Sequence, residues 1–178
     1  MHDATFRYTR IAMLLHWVLA AALLYQLVLG WWMVDLPKSP PGLRAGWFNW
    51  HKSIGICIGI AVLLRMSWRV SHAAPSMDGL AAWERRAAEV SHAMLYVCMA
   101  VLPLSGYLGS VFSGYPVKFF GIVLPQWAAA WPAGKAFMGG LHYVTVWVFM
   151  ALVAMHVGAA VLHAVRRDGV LKRMGLPA

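Results

Sequence analysis

The sequence predicts an all-α membrane protein: a four transmembrane helix bundle with both termini cytoplasmic. Three observations predict it. The 178 residues are 61% hydrophobic and only 12% charged, whereas soluble domains sit near about half apolar and a quarter charged. The apolar residues gather into four stretches, about 11–32, 50–68, 90–112 and 141–163, each long enough to cross ~30 Å of hydrocarbon as a helix. The cations are unevenly shared between the two sides. Arg7, Arg10, Arg65, Arg69, Arg85, Arg86, Arg166, Arg167, Lys172 and Arg173 fall on one side, and only Lys38, Arg44, Lys52, Lys118 and Lys135 on the other. The positive-inside rule therefore places both termini in the cytoplasm.

The net charge of +9 is thereby absorbed by membrane topology, and a nucleic-acid partner is unnecessary. Trp31, Trp32, Trp47, Trp50, Trp127 and Trp131 flank the outer connections, as an interfacial aromatic belt does. Little chain remains outside the four stretches, so residues 1–178 are expected to form a single integral-membrane domain with no soluble catalytic module.

The first stretch reads as a retained helix, because Trp31, Trp32 and Met33 stand where a signal peptide has small residues for cleavage. The connection after it is rich in turn formers, Leu36-Pro37-Lys38-Ser39-Pro40-Pro41-Gly42. The second connection starts with Pro75 and contains Trp83-Glu84-Arg85-Arg86, expected to lie as a short amphipathic piece on the cytoplasmic interface. The third, 113–140, is the longest and sets Pro116, Pro125 and Pro132 among Phe119, Phe120 and Trp127, as a loop capping an outer site could. Cys57 and Cys98 fall inside helices and read as inert thiols. No Cys-x-x-Cys-His occurs, which excludes covalent c-type haem attachment.

The chemistry lies in the histidines. His142 and His156 are 14 residues apart in the fourth stretch, so on one helix they stand ~21 Å apart along the axis and within about 40° of the same face. Ionisable groups inside a membrane are costly and mark function. Two imidazoles facing one way, one in each leaflet, predict two stacked b haems, each held by neutral imidazoles from facing helices.

Depth selects the partners. His51, shallow in helix 2 on the outer side, matches His142 at the outer start of helix 4. His16, six residues past Arg10, and His156, ten before Arg166, both fall in the inner half. The pairs are His51 with His142 and His16 with His156. His92 is as deep as His16 and stays open as the inner alternative to His156. His163 shares the face of His156 but would lie ~31 Å from His142, close to inner water. A divalent-metal path would need carboxylates beside the imidazoles, yet all six acidic residues lie outside the four stretches. Met155 points about 100° from His156 and reads as packing. Gly30, Gly55 and Gly59 read as close helix contacts, with Gly55, one turn from His51, also able to make room for a porphyrin.

With these residues placed, the chain resembles the bacterial cytochrome b561 family and, more distantly, the cytochrome b subunits of membrane hydrogenases and formate dehydrogenases. The marks are Arg10 through Leu14-Leu15-His16-Trp17, Asn49-Trp50-His51-Lys52-Ser53-Ile54-Gly55, Ser91-His92 with Leu102-Pro103-Leu104-Ser105-Gly106, Leu141-His142, and Met155-His156-Val157-Gly158-Ala159-Ala160 up to His163. The resemblance implies a four-helix bundle in the bacterial inner membrane with two haem b groups. Carried over, their axial ligands are His16, His51, His142 and His156. It also implies oxidation of superoxide on the periplasmic side and transfer of its electrons to ubiquinone.

On that reading the outer cations steer superoxide or another small periplasmic donor. His163, His92 and Arg166 near the inner haem are candidates to bind the membrane quinone and exchange its protons, and an outer quinone site is equally open. Two alternatives stand beside it. One is a cytochrome b electron-conduit subunit of a hydrogenase- or dehydrogenase-type complex, which the short loops disfavour. The other is a haem-free membrane transporter or structural protein.

Overall fold

The computed structural model describes residues 7–39, 42–76 and 79–176; Pro40 and Pro41 of the predicted turn lie outside them. Four helices carry the fold: α1 (Arg10–Val34), α2 (Leu43–Ser71), α3 (Ala82–Val111) and α4 (Pro132–Arg166). All four are long and apolar enough to cross a membrane. Between α3 and α4 lie two short strands, β1 (Lys118–Phe119) and β2 (Ile122–Val123), and a 3₁₀ turn, Val170–Met174, follows α4.

The helices run past the predicted stretches. α2 begins at Leu43 rather than 50, α3 at Ala82 rather than 90, and α4 at Pro132 rather than 141. Hydropathy reports where lipid surrounds a helix, whereas its ends are set by caps and turn chemistry, so helix continues into the interface. Pro132 opens α4 at a position where its missing N–H has no helical partner to lose, and Thr9 caps α1 by accepting from the Ala12 N–H at 3.2 Å. The Trp83–Arg86 piece is therefore no separate interfacial helix but the first turn of α3, with the Glu84 carboxylate accepting from the Ala81 N–H at 3.2 Å. Glu84 and Glu89 accordingly lie on a spanning helix, within its first turns.

The β-hairpin was not expected from sequence. Lys118 pairs with Val123 and Phe119 with Ile122, joined through Phe120 and Gly121, both at positive φ (46° and 92°), as a two-residue hairpin turn requires. Glycine adopts that region freely; for Phe120 it costs roughly 1 kcal/mol or more. Two contacts offset it. The Phe120 N–H donates to the buried Ser53 hydroxyl at 2.9 Å, and its ring meets the Trp50 ring edge-on at 5.2 Å. The hairpin is thus strapped to α2 one residue from His51's neighbour Lys52. At the opposite end, the Tyr8 N–H donates to the Arg173 carbonyl at 3.1 Å and Trp17 Nε1 to the Met174 carbonyl at 3.3 Å. The bundle therefore has a hairpin end and a terminal end.

α4 packs along α3, α2 along α1, and the two pairs join mainly through α2 and α3. Gly59 sets that joint: a Cβ there would stand 3.3 Å from Cβ of Pro103 on α3, the close approach small residues permit between membrane helices. α4 has no comparable backbone packing on α1 or α2. Side chains span that space at mid-depth. Phe149 and Leu152 of α4 meet Cys98 and Leu102 of α3, with Leu23 and Leu27 of α1 against them, and Leu19, Ile58 and Val62 join α1 to α2. Most other large apolar side chains are exposed on the bundle's outside, Val165 at 76% for example, where lipid rather than protein covers them.

Phe149 lies seven residues from each α4 histidine and is 2% exposed. Truncating it removes the centre of the packed layer, so Phe149→Ala should destabilise the bundle by about 3–5 kcal/mol. Val165→Ala should change it by less than about 0.5 kcal/mol. Reversible unfolding in mixed micelles would measure both.

Candidate functional site

The structure opposes two pairs of imidazoles across the space between α4 and its non-packed neighbours. At the hairpin end, His51 of α2 faces His142 of α4 with ring centres 6.5 Å apart and planes at 77°. At the terminal end, His16 of α1 faces His156 of α4 at 6.1 Å and 65°. His92 of α3 also faces His156, at 5.5 Å and 63°. The terminal end thus holds three histidines, two of them facing His156, and His92 is the most exposed of the three. Because α2 and α4 start before the apolar stretches, His51 and His142 stand further along their helices than expected. They are eight and ten residues from their helix starts.

Their surroundings differ. His142 Nδ1 lies 3.0 Å from the Leu102 carbonyl and 3.2 Å from the Ser105 hydroxyl. A carbonyl only accepts, so Nδ1 carries the proton and Nε2 presents its lone pair to the gap. Ser105, 2% exposed, donates its own proton to the Val101 carbonyl at 2.7 Å and so can accept from the ring. His51 is held through its backbone, whose carbonyl accepts from Gln26 Nε2 at 2.8 Å. Among the described residues its Nδ1 and Gln26 Oε1 have no hydrogen-bond partner. Each ring lies against a glycine of the adjacent helix: a Cβ on Gly30 would be 3.3 Å from His51 Cε1, and one on Gly106 3.3 Å from His142 Cε1. Gly55, expected to make room there, faces only the Gln26 amide at 3.5 Å.

At the terminal end Arg65 of α2 reaches inward. Its Nη1 donates to the Ala12 carbonyl at 2.9 Å, its Nη2 lies 3.3 Å from His16 Nδ1, and its guanidinium sits 6.0 Å from the centre of the Tyr96 ring. Beside it, Tyr8, Thr9, Trp68, Arg69 and His72 line a cavity of about 20 Å³, room for a water molecule.

The other two residues proposed around a quinone are engaged at the rim. His163 hydrogen-bonds Asp168, and Arg166 pairs with Glu84 at 2.8 Å. Burial pushes the Asp168 carboxyl up, but the bonds from His163 and the Val170 N–H more than offset it and hold it below the usual carboxylate range. Its contribution is therefore present above the ordinary carboxylate pKa of about 4 and lost as pH falls.

Sequence reasoning counted Arg65 only toward topology and did not single out Ser105 or Gly106. Arg65 had a readable signal, a cation flanked by Leu63, Leu64 and Met66 inside an apolar stretch. Ser105 and Gly106 stood only within the Leu102–Gly106 family mark, with no role legible there, since only the docking of α4 on α3 gives them a histidine.

The match to known proteins decides the family. A family model described as prokaryotic cytochrome b561 covers residues 7–176. The chain belongs to the prokaryotic cytochrome b561 family. Cytochrome b561 homolog 2 of Escherichia coli (strain K12) is 33% identical over 175 residues, covering 94% of this chain and 90% of the relative. Cytochrome b561 homolog 1 of the same organism is 27% identical, covering 94% and 96%. This cytochrome b561 protein is a multi-pass protein of the bacterial inner membrane that binds haem b and transfers electrons.

The residues present fit that cofactor. Imidazole nitrogens on either side of a metal at about 2 Å, with each ring centre about an ångström behind, place the centres about 6 Å apart. Both histidine pairs meet that spacing. Among the described residues no three or more His, Cys, Asp or Glu side chains are grouped to hold a bare metal ion, so two imidazoles with the remaining ligands from a macrocycle suit the site better than a naked cation. The glycines leave the rings' flanks clear. Gly30→Val and Gly106→Val should each displace a ring and lower haem per chain by up to half, while Gly55→Ala leaves it unchanged. Pyridine-haemochrome stoichiometry measures this.

Proposed function

We propose that this protein is a di-haem b oxidoreductase that takes electrons from superoxide on the periplasmic side and delivers them to ubiquinone, with both termini cytoplasmic. The observation that carries the reading is the pair of opposed imidazoles at each end of α4. His51 and His142 hold the outer haem, and His16 and His156 the inner one. When bound, haem b supplies one-electron redox chemistry, and the chain supplies ligation, spacing and exclusion of water. His142 is pre-oriented as a ligand by its bond to the Leu102 carbonyl, as metal-bound histidines commonly are. His92 faces His156 from the exposed side of α3 and remains the competing inner ligand.

Superoxide is an anion. Lys52, Lys118 and Lys135 belong to the hairpin end, and none of them is in a salt bridge among the described residues. A mouth of one sign raises the encounter rate of an opposite charge. Arg44 contributes less, being turned to the Leu36 carbonyl and the Phe48 ring. Each superoxide gives up one electron to become O₂, so two are consumed as one quinone takes two electrons and two protons. His92, His163 and Arg166 are the groups proposed for the quinone oxygens. A quinone there would compete with Asp168 for His163 and with Glu84 for Arg166.

The purified protein should carry two b haems per chain. His51→Ala, His142→Ala, His16→Ala and His156→Ala should each leave one, and His92→Ala should leave two. Loss in His92→Ala with retention in His16→Ala would reassign the inner pair. With haem content intact, the triple change Lys52→Gln, Lys118→Gln, Lys135→Gln should slow superoxide-driven quinone reduction by about tenfold at low salt and flatten its salt dependence. An unchanged rate at low ionic strength would remove steering from the mechanism.

A further inference from the structure

One histidine of each pair, His142 and His16, meets a partner of opposite sign, and this bears on which way an electron runs. At the hairpin end the ring nitrogen turned away from the gap, Nδ1 of His142, faces the negative end of the Leu102 carbonyl and the Ser105 oxygen. At the terminal end the corresponding nitrogen of His16 faces the Arg65 guanidinium at 3.3 Å. An arginine is always charged. Neither ion pair among the described residues involves Arg65, so its partners there are neutral: the Ala12 carbonyl, the His16 ring and the Tyr96 ring. Among the described residues no carboxylate pairs with its charge beside His16.

Two details make this more than proximity. Arg65 is anchored independently of His16, by the Ala12 carbonyl at 2.9 Å, so the charge stays in place whichever nitrogen of His16 carries the proton. The hairpin end has cations too, but Lys52 follows His51 directly and leaves the helix about 100° away from it. No hydrogen bond joins a lysine to either ring of that pair among the described residues.

We propose that Arg65 sets the reduction potential of the terminal-end haem above that of the hairpin-end haem and so makes electron flow toward the terminal end downhill. It rests on the two-haem reading above. Reducing a haem iron adds one negative charge. A guanidinium beside the ligand stabilises the added electron, while a carbonyl accepting from the ligand makes the imidazole a stronger donor and favours the oxidised iron. With both groups bound, the exchange would be of one electron, given up by the haem that His51 and His142 would hold and taken by the one that His16 and His156 would hold, with no proton or co-reactant consumed. Low dielectric between the ends leaves such a charge poorly screened.

The test is an optical redox titration of the full-length protein in detergent, with haem content measured on the same samples. The His51→Ala protein, keeping the terminal-end haem, assigns the two midpoints. In wild type the terminal-end haem should titrate at the higher potential. Arg65→Gln should shift its midpoint down by about 59 mV, a tenfold change for a one-electron couple, and leave the hairpin-end midpoint in place. Arg65→Lys, which keeps the charge, should hold the midpoint near wild type and serves if Arg65→Gln loads haem poorly. A terminal-end haem that titrates below its partner overturns the proposal, as do midpoints unmoved by Arg65→Gln at two haems per chain. A single haem in the wild-type chain overturns the two-haem reading itself.

Discussion

The structure depends on facing imidazoles across a space that the helices themselves do not close. α4 carries His142 and His156 on one face, and each must find a partner, since an unengaged polar ring in hydrocarbon is costly. α1 and α2 supply one partner each, at opposite depths. The rest of the bundle keeps those depths in register. α4 docks on α3, α1 on α2, and the Gly59–Pro103 approach fixes one pair relative to the other. The backbones of α4 and of α1 and α2 stay apart, and side chains bridge the gap, Trp31 of α1 against Trp147 of α4 among them.

Lipid does much of the work that a protein core does elsewhere. Few of the described side chains are fully buried; one group gathers at mid-depth around Phe149, Leu102, Ile58 and Val62, and Ser53, Val111 and Val117 are buried at the hairpin end. That layer separates the two histidine pairs with packed hydrocarbon. An apolar middle with polar groups confined to either end suits a protein that moves electrons: it excludes water and ions from the path while leaving each end its own environment.

Those environments are unlike in sign. A carbonyl and a hydroxyl lie behind His142, and a guanidinium behind His16. The surfaces differ as well: at one end a strapped hairpin whose lysines form no salt bridge among the described residues, and at the other a rim closed by the Arg166–Glu84 and His163–Asp168 contacts and by the turn Val170–Met174. The two ends of the fold thus differ in the groups that lie behind their histidines.

Hydropathy and histidine spacing alone determined that four helices cross, that His142 and His156 share a face, and that His51 matches His142 in depth and His16 matches His156. These are properties of single helices, and helical periodicity carries them. Where each helix ends was decided elsewhere, by Pro132, Thr9 and the turn at Phe120–Gly121, because caps and hairpins answer to backbone hydrogen bonding and not to lipid. The roles of Arg65, Ser105, Gly30 and Gly106 were also decided only in three dimensions. Each acts on a histidine from a different helix, and no pattern along one chain segment records which helix will lie beside another. The competition between His16 and His92 for His156 belongs to the same class: both are at the right depth, and the packing of α1 and α3 around α4 brings both rings to it.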